Sequence, residues 1–122
     1  MPSRFAEFLS EMIGAVSGCL GAVIQDWDGE TVDYFGHIEE QELMINAAQW
    51  GLMWRMFKYG FDKPTVKNAK EILIQTEKQK IIIQSLFSDY YLVVILERDA
   101  SLHSAQCYME HMVEDIKEEM GL

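Results

Sequence analysis

The stretch that most constrains this chain runs from Glu39 to Lys58, EEQELMINAAQWGLMWRMFK. It has no proline and its apolar residues recur at helical spacing, so it reads as a helix of five turns or more. At about 100° per residue, Leu43, Ala47, Trp50, Trp54 and Phe57 form one apolar stripe. Met44, Ile45, Ala48, Leu52 and Met56 form a second on the far side, with Asn46, Gln49, Arg55 and Lys58 as the main polar interruptions. A helix resting on one sheet needs one apolar stripe; a helix apolar on two sides must be covered twice. In a short chain the second cover is expected to come from another molecule, so one face packs on the chain's own sheet and the other on a partner.

Length and charge bound the rest. With 122 residues, 49% of them hydrophobic, the chain is expected to form one domain, 1–122, around a core of its own. A formal net charge of −10 speaks against nucleic acid and anionic membrane as partners, because both require clustered Lys and Arg. The opening MPSRFAEFLSEM carries two glutamates where a leader peptide would be apolar, and no run approaches the roughly 20 apolar residues of a membrane span. Cys19 and Cys107 are too few for a disulfide scaffold. A reduced, cytoplasmic chain without membrane insertion is expected.

In chain order, Ser3 reads as an N-cap for a helix carrying Phe5, Phe8, Leu9, Met12, Ile13 and Val16. Two short strands, Leu20–Ile24 and Thr31–Phe35, follow around Asp28-Gly29, a hairpin turn signal. After the central helix comes a polar connection from Tyr59 to Lys70. Three strands come next: Glu71–Glu77, Lys80–Phe87 and Tyr90–Leu96, with turns at Lys78-Gln79 and Ser88-Asp89. The last strand, YYLVVIL, is continuously apolar, so both of its faces are covered and it lies near the middle of the sheet. A final amphipathic helix spans Ser101–Met120. The order is α-β-β-α-β-β-β-α, and short turns make neighbouring strands antiparallel. The expected fold class is α+β: a five-stranded antiparallel sheet with two helices on one face and the central helix on the other.

This order resembles the roadblock / dynein light chain family, and within it the stand-alone prokaryotic domains similar to bacterial gliding-GTPase regulators. The residues that carry the resemblance are Gly18-Cys19-Leu20-Gly21-Ala22-Val23-Ile24 with Asp26-x-Asp28-Gly29, then Ala47 and Ala48. The run Asp89-Tyr90-Tyr91-Leu92-Val93-Val94-Ile95-Leu96, leading through Arg98-Asp99-Ala100-Ser101-Leu102, completes it. The resemblance implies a profilin/roadblock-like fold and a homodimer in which the central helices pair and the following strand joins its mate. Carried onto this chain, the dimer interface would comprise Met44, Ala48, Leu52, Arg55, Met56, Ile72 and Ile74. Relatives serve as platforms, activators or scaffolds for small Ras-like GTPases. The resemblance therefore implies a non-catalytic regulator or scaffold that favours one nucleotide state, with Met53, Trp54 and Phe57 as candidate GTPase contacts. Alternatives are a PAS- or profilin-like module that senses a small ligand, and a structural adaptor in a motor or filament system.

No residue set reads as an enzyme's, and no cofactor is expected. Gly14, Gly18 and Gly21 lack the Lys-Ser/Thr that completes a phosphate-binding loop, so they read as a helix end and close packing. Asp26-Trp27-Asp28-Gly29-Glu30 fails as a calcium loop, with Thr31 at position six and His37 at position twelve. His103, Cys107 and His111 are spaced at i, i+4 and i+8, where neighbours can share a zinc ion but all three cannot, since the ends lie about 12 Å apart. A solvated helix face is the expectation there, and no metal centre is assigned.

Overall fold

A computed structural model of the chain describes residues 4–60, 68–86 and 89–121. The described elements are α1 (Arg4–Ala15), β1 (Cys19–Gln25), β2 (Thr31–Gly36), α2 (Glu40–Tyr59), β3 (Glu71–Gln75), β4 (Gln79–Ser85), β5 (Tyr91–Glu97) and α3 (Leu102–Glu119). The five strands form one antiparallel sheet in the order β2-β1-β5-β4-β3. The expected element order and α+β architecture are both present.

Alternation along the strands assigns the two faces. Ala22, Ile24, Ile82, Leu92, Val94 and Leu96 meet Leu9, Met12 and Ile13 of α1 and Ala105, Met109, Val113 and Ile116 of α3. On the other face Val23, Ile81, Ile83, Tyr91, Val93 and Ile95 meet Leu43, Ala47 and Trp54 of α2. β5 is buried at every position from Tyr91 to Leu96, as continuous apolarity requires of a strand covered twice. Ser101 caps α3, its Oγ accepting from the Ser104 amide at 3.1 Å. By contrast α2 starts at Glu39 without a side-chain cap and relies on Glu40 and Glu42 in its first turn.

Several boundaries differ from the sequence expectation. β3 ends at Gln75 and the turn sits at Glu77-Lys78, one residue early, because Thr76 Oγ1 accepts from the amides of Lys78 and Gln79. β1 begins at Cys19, and its register shifts between Cys19 and Gly21. The Ser3 cap, Ser88 of the Ser88-Asp89 turn, Phe87 and most of the 59–70 connection lie outside the described residues.

Burial of Cys19 has a measurable consequence. Removal from water pushes its thiol from 9.0 up to about 11, only partly opposed by a contact to the Gly21 carbonyl. The folded protein then holds a proton that the unfolded chain releases, so stability is full below pH 9 and declines as pH rises toward 11. The decline attributable to this thiol is about 2–3 kcal/mol. Urea unfolding across that window is expected to show the slope in the parent chain and a shallower one in Cys19→Ala; equal slopes would refute the assignment.

Candidate interaction surface

Helix α2 presents two different faces. Leu43, Ala47, Gly51 and Trp54 are buried against the sheet, with Trp54 only 3% exposed. On the opposite side Ile45, Leu52 and Met56 are 53%, 52% and 62% exposed, with Ala48 exposed between them. From Ile45 to Met56 the stripe runs about 16 Å along the axis. Met44 is half-buried and receives the Thr31 hydroxyl at its sulfur, 3.7 Å away. A row of large apolar side chains held in water on one helix face marks a surface made for contact.

β3 is the outermost strand beside this helix, so one of its backbone edges is unpaired in the sheet. Leu73 points away from α2 and is 47% exposed, whereas Ile72 and Ile74 pack against the α2 core cluster. An unpaired apolar edge invites another strand. Trp50 is half-buried, and its indole N–H is enclosed with no hydrogen-bond partner.

Two of the α2 candidates make contacts within the chain itself. Arg55 is half-buried, outside the row of large apolar side chains. Its Nη1 donates to the Tyr91 hydroxyl at 2.6 Å, and its guanidinium lies so close to Gly29 that a Cβ there would collide with it. Gly29 also sits at φ 84°, a backbone conformation that favours glycine, whereas the end of the Arg55 side chain can move aside. The Trp54 indole is enclosed by the chain's own core, 6.2 Å from the Tyr91 ring and 6.5 Å from Phe57, as its place in the sheet-facing stripe requires. Met53 and Phe57 are half-buried, and Met53 packs against the same cluster.

The Arg55 contact is part of a buried polar relay absent from the sequence reading. The Tyr91 hydroxyl donates to Gln25 Oε1 at 2.6 Å, and Gln25 is the one buried polar residue among those described. Burial pushes the Tyr91 phenol above its usual range, an effect that Arg55 opposes. Gly51 lies directly over this pair, and a Cβ there would come within 2.7 Å of the Tyr91 hydroxyl. The one available signal was Gln25 itself, a polar residue closing an otherwise apolar strand. The relay ties α2 to the β1–β2 hairpin, whose Asp26 Oδ1 accepts from the amides of Asp28 and Glu30. With that carboxylate engaged in the turn, the loop is a hairpin as expected, and Trp27 stands exposed at its tip.

On α3, His103 and Cys107 come together, with Nε2 3.6 Å from Sγ, while His111 continues one turn further along the exposed face. No group of three or more His, Cys, Asp or Glu among the described residues is placed to hold a metal ion. No helix among the described residues is long and apolar enough to cross a membrane.

In sheet order and helix placement the chain has the fold of roadblock/LC7 domains. A roadblock/LC7 domain from Streptomyces avermitilis superposes with a TM-score of 0.84 at 15% identity, over 98% of this chain and 100% of that one. MglB from Myxococcus xanthus gives 0.83 at 13% identity, covering 97% and 95%. MglC from the same organism gives 0.73 at 19%, covering 96% and 99%. No family model matches the sequence, and no curated protein is similar to it.

Proposed function

We propose that this protein is a homodimeric, non-catalytic regulator or scaffold for a small Ras-like GTPase. The observation that carries the reading is the apolar stripe Ile45, Ala48, Leu52 and Met56, held in water on α2 beside the unpaired edge of β3. A second copy covers that stripe helix to helix and continues the sheet through β3, removing both liabilities in one twofold contact. The likeness to MglB and MglC folds supports the GTPase as client, in keeping with the family resemblance of the sequence. Regulation follows from differential affinity: the dimer binds one nucleotide state more tightly and shifts the client's switch equilibrium by that difference.

The reading is tested by size-exclusion chromatography with light scattering, using a small Ras-like GTPase from the same genome. The GTPase is loaded with GDP in one run and a non-hydrolysable GTP analogue in another. Co-elution with the dimer in one state only is the expected result. Equal binding in both states would reduce the role to scaffolding, and no complex in either state would overturn the GTPase assignment. The small-ligand alternative is disfavoured by the close approach of α2 to the sheet at Gly51, where Gln25 and Tyr91 occupy the space between helix and strands.

A further inference from the structure

On the face of the sheet opposite α2, a groove of about 340 Å³ lies between α1 and the edge strand β2, lined by Ala6, Glu7, Ser10, Glu11 and Phe35. The residues α1 turns toward it are small. Ala6 and Ser10 are followed one turn on by exposed Gly14, where an added Cβ would meet nothing within 4 Å. Phe35 pairs in register with Ala22, which belongs to the α1 side of the core, so its ring stands on this face. It is 36% exposed, with only the edge-on ring of His37 beside it at 6.4 Å. An aromatic ring left in water beside a small-residue helix face is a shape that a second helix fills.

Charge at this end of the sheet is one-signed. Between Arg4 and Arg55 the sequence holds nine carboxylates and no Lys or Arg, and that segment builds α1, β1, β2 and most of α2. Arg4, at the start of α1, is taken up by Glu7 at 3.4 Å and Glu119 at 3.7 Å. Glu11, one turn further along the groove, has no cationic partner among the described residues. Lys70, Lys78 and Lys80 lie at the other end of the sheet, beside β3 and β4.

We infer that the α1–β2 groove docks an amphipathic helix of a partner protein, one whose apolar stripe is edged with Lys or Arg. The stripe covers Phe35 and the small-residue face of α1, and the flanking cations meet Glu11 and Glu7. Strand addition at β2 is disfavoured. The His37 amide bonds inward to Leu20, so alternation turns the Tyr34 amide outward, and there the Asp33 carboxylate accepts from it at 2.9 Å and closes the edge. Nucleic acid and anionic membrane are repelled by the same carboxylates. Nor does a second copy supply the helix: Arg55 and Lys58, beside the exposed stripe of α2, are held by the Tyr91 hydroxyl and the Ala69 carbonyl. Because the groove and α2 lie on opposite faces of the sheet, this contact is separate from the proposed dimer.

Fluorescence anisotropy of a labelled helical peptide of Leu and Lys, titrated with the full chain, tests the groove. Saturable binding is the expected result, with a Leu/Glu counterpart and a scrambled Leu/Lys peptide, its stripe broken, both failing to bind. Phe35→Ser and Glu11→Lys should each weaken binding about tenfold, the cost of one anchor or one ionic contact. Glu110→Lys, the same charge change on the exposed face of α3, should stay within about twofold. Glu11 is exposed, so its substitution keeps the fold even where Phe35→Ser weakens it. Binding unaltered in Glu11→Lys, an equal loss in Glu110→Lys, or equal binding of the scrambled peptide would overturn the inference. So would light scattering that shows the peptide-free chain losing an oligomer in Phe35→Ser, since a second copy would then occupy the groove. None of these readouts depends on whether the GTPase binds.

Discussion

Replacing Trp54 with alanine is expected to lower the unfolding free energy by about 3–5 kcal/mol, a large part of the roughly 5–15 kcal/mol that holds a domain of this kind together. The indole fills the space between α2 and the strands beneath it, touching a cluster that includes Ile81, Ile83, Tyr91 and Val93. Truncation loses the transfer energy of the ring and leaves a cavity lined by side chains fixed on rigid strands, which cannot close up to fill it. The stacking contact with Tyr91 at 6.2 Å and the Lys58 ammonium at 5.4 Å from the indole are lost as well. Equilibrium unfolding in urea measures the loss. A change below about 1 kcal/mol would mean that Trp54 does not anchor the helix, and would return it to the list of partner contacts.

Leu52→Asp, two residues away on the same helix, should behave in the opposite way. With Leu52 already 52% exposed, the isolated chain barely registers the change, within the roughly 0.5 kcal/mol usual for a surface position. In the proposed dimer the same substitution places an unpaired carboxylate in an apolar contact at two symmetric positions, at about 2 kcal/mol each. Together that weakens the dimer about a thousandfold in Kd. Sedimentation or light scattering should find a folded monomer at concentrations where the parent is dimeric. A dimer of unchanged stability would show that copies meet through another surface. Measured together, Trp54→Ala and Leu52→Asp separate the two faces of α2, one acting on folding and the other on association.

Much of this arrangement was legible in local sequence. The two apolar stripes of α2 are a property of spacing within 20 residues, and the structure places one in the core and the other in water. Likewise, the unbroken apolarity of YYLVVIL located the doubly covered strand, because burial on both faces leaves no place for an alternating polar residue. Asp28-Gly29 marked the hairpin, since only a residue at ease with positive φ suits that turn. These features depend on the chain's own periodicity and on backbone conformation, which neighbouring residues impose.

What sequence could not supply were the pairings between distant residues. Arg55 was placed at the dimer interface by the family resemblance alone, and spacing along the helix says nothing of its partner within the chain. That partner, Tyr91, lies 36 positions away and reaches it only after β5 docks beside β1. The role of Gly51 appears only where α2 crosses above Gln25 and Tyr91. Trp54 and Leu52 were both plausible contacts until the sheet took one of them. The sequence alone determined the elements, their order and the existence of two apolar faces on α2, because each follows from short-range spacing. Only the tertiary structure decided which face is buried, where Arg55 is held and that His103 meets Cys107 at 3.6 Å, because those depend on how helices settle on the sheet and on the rotamers that packing permits.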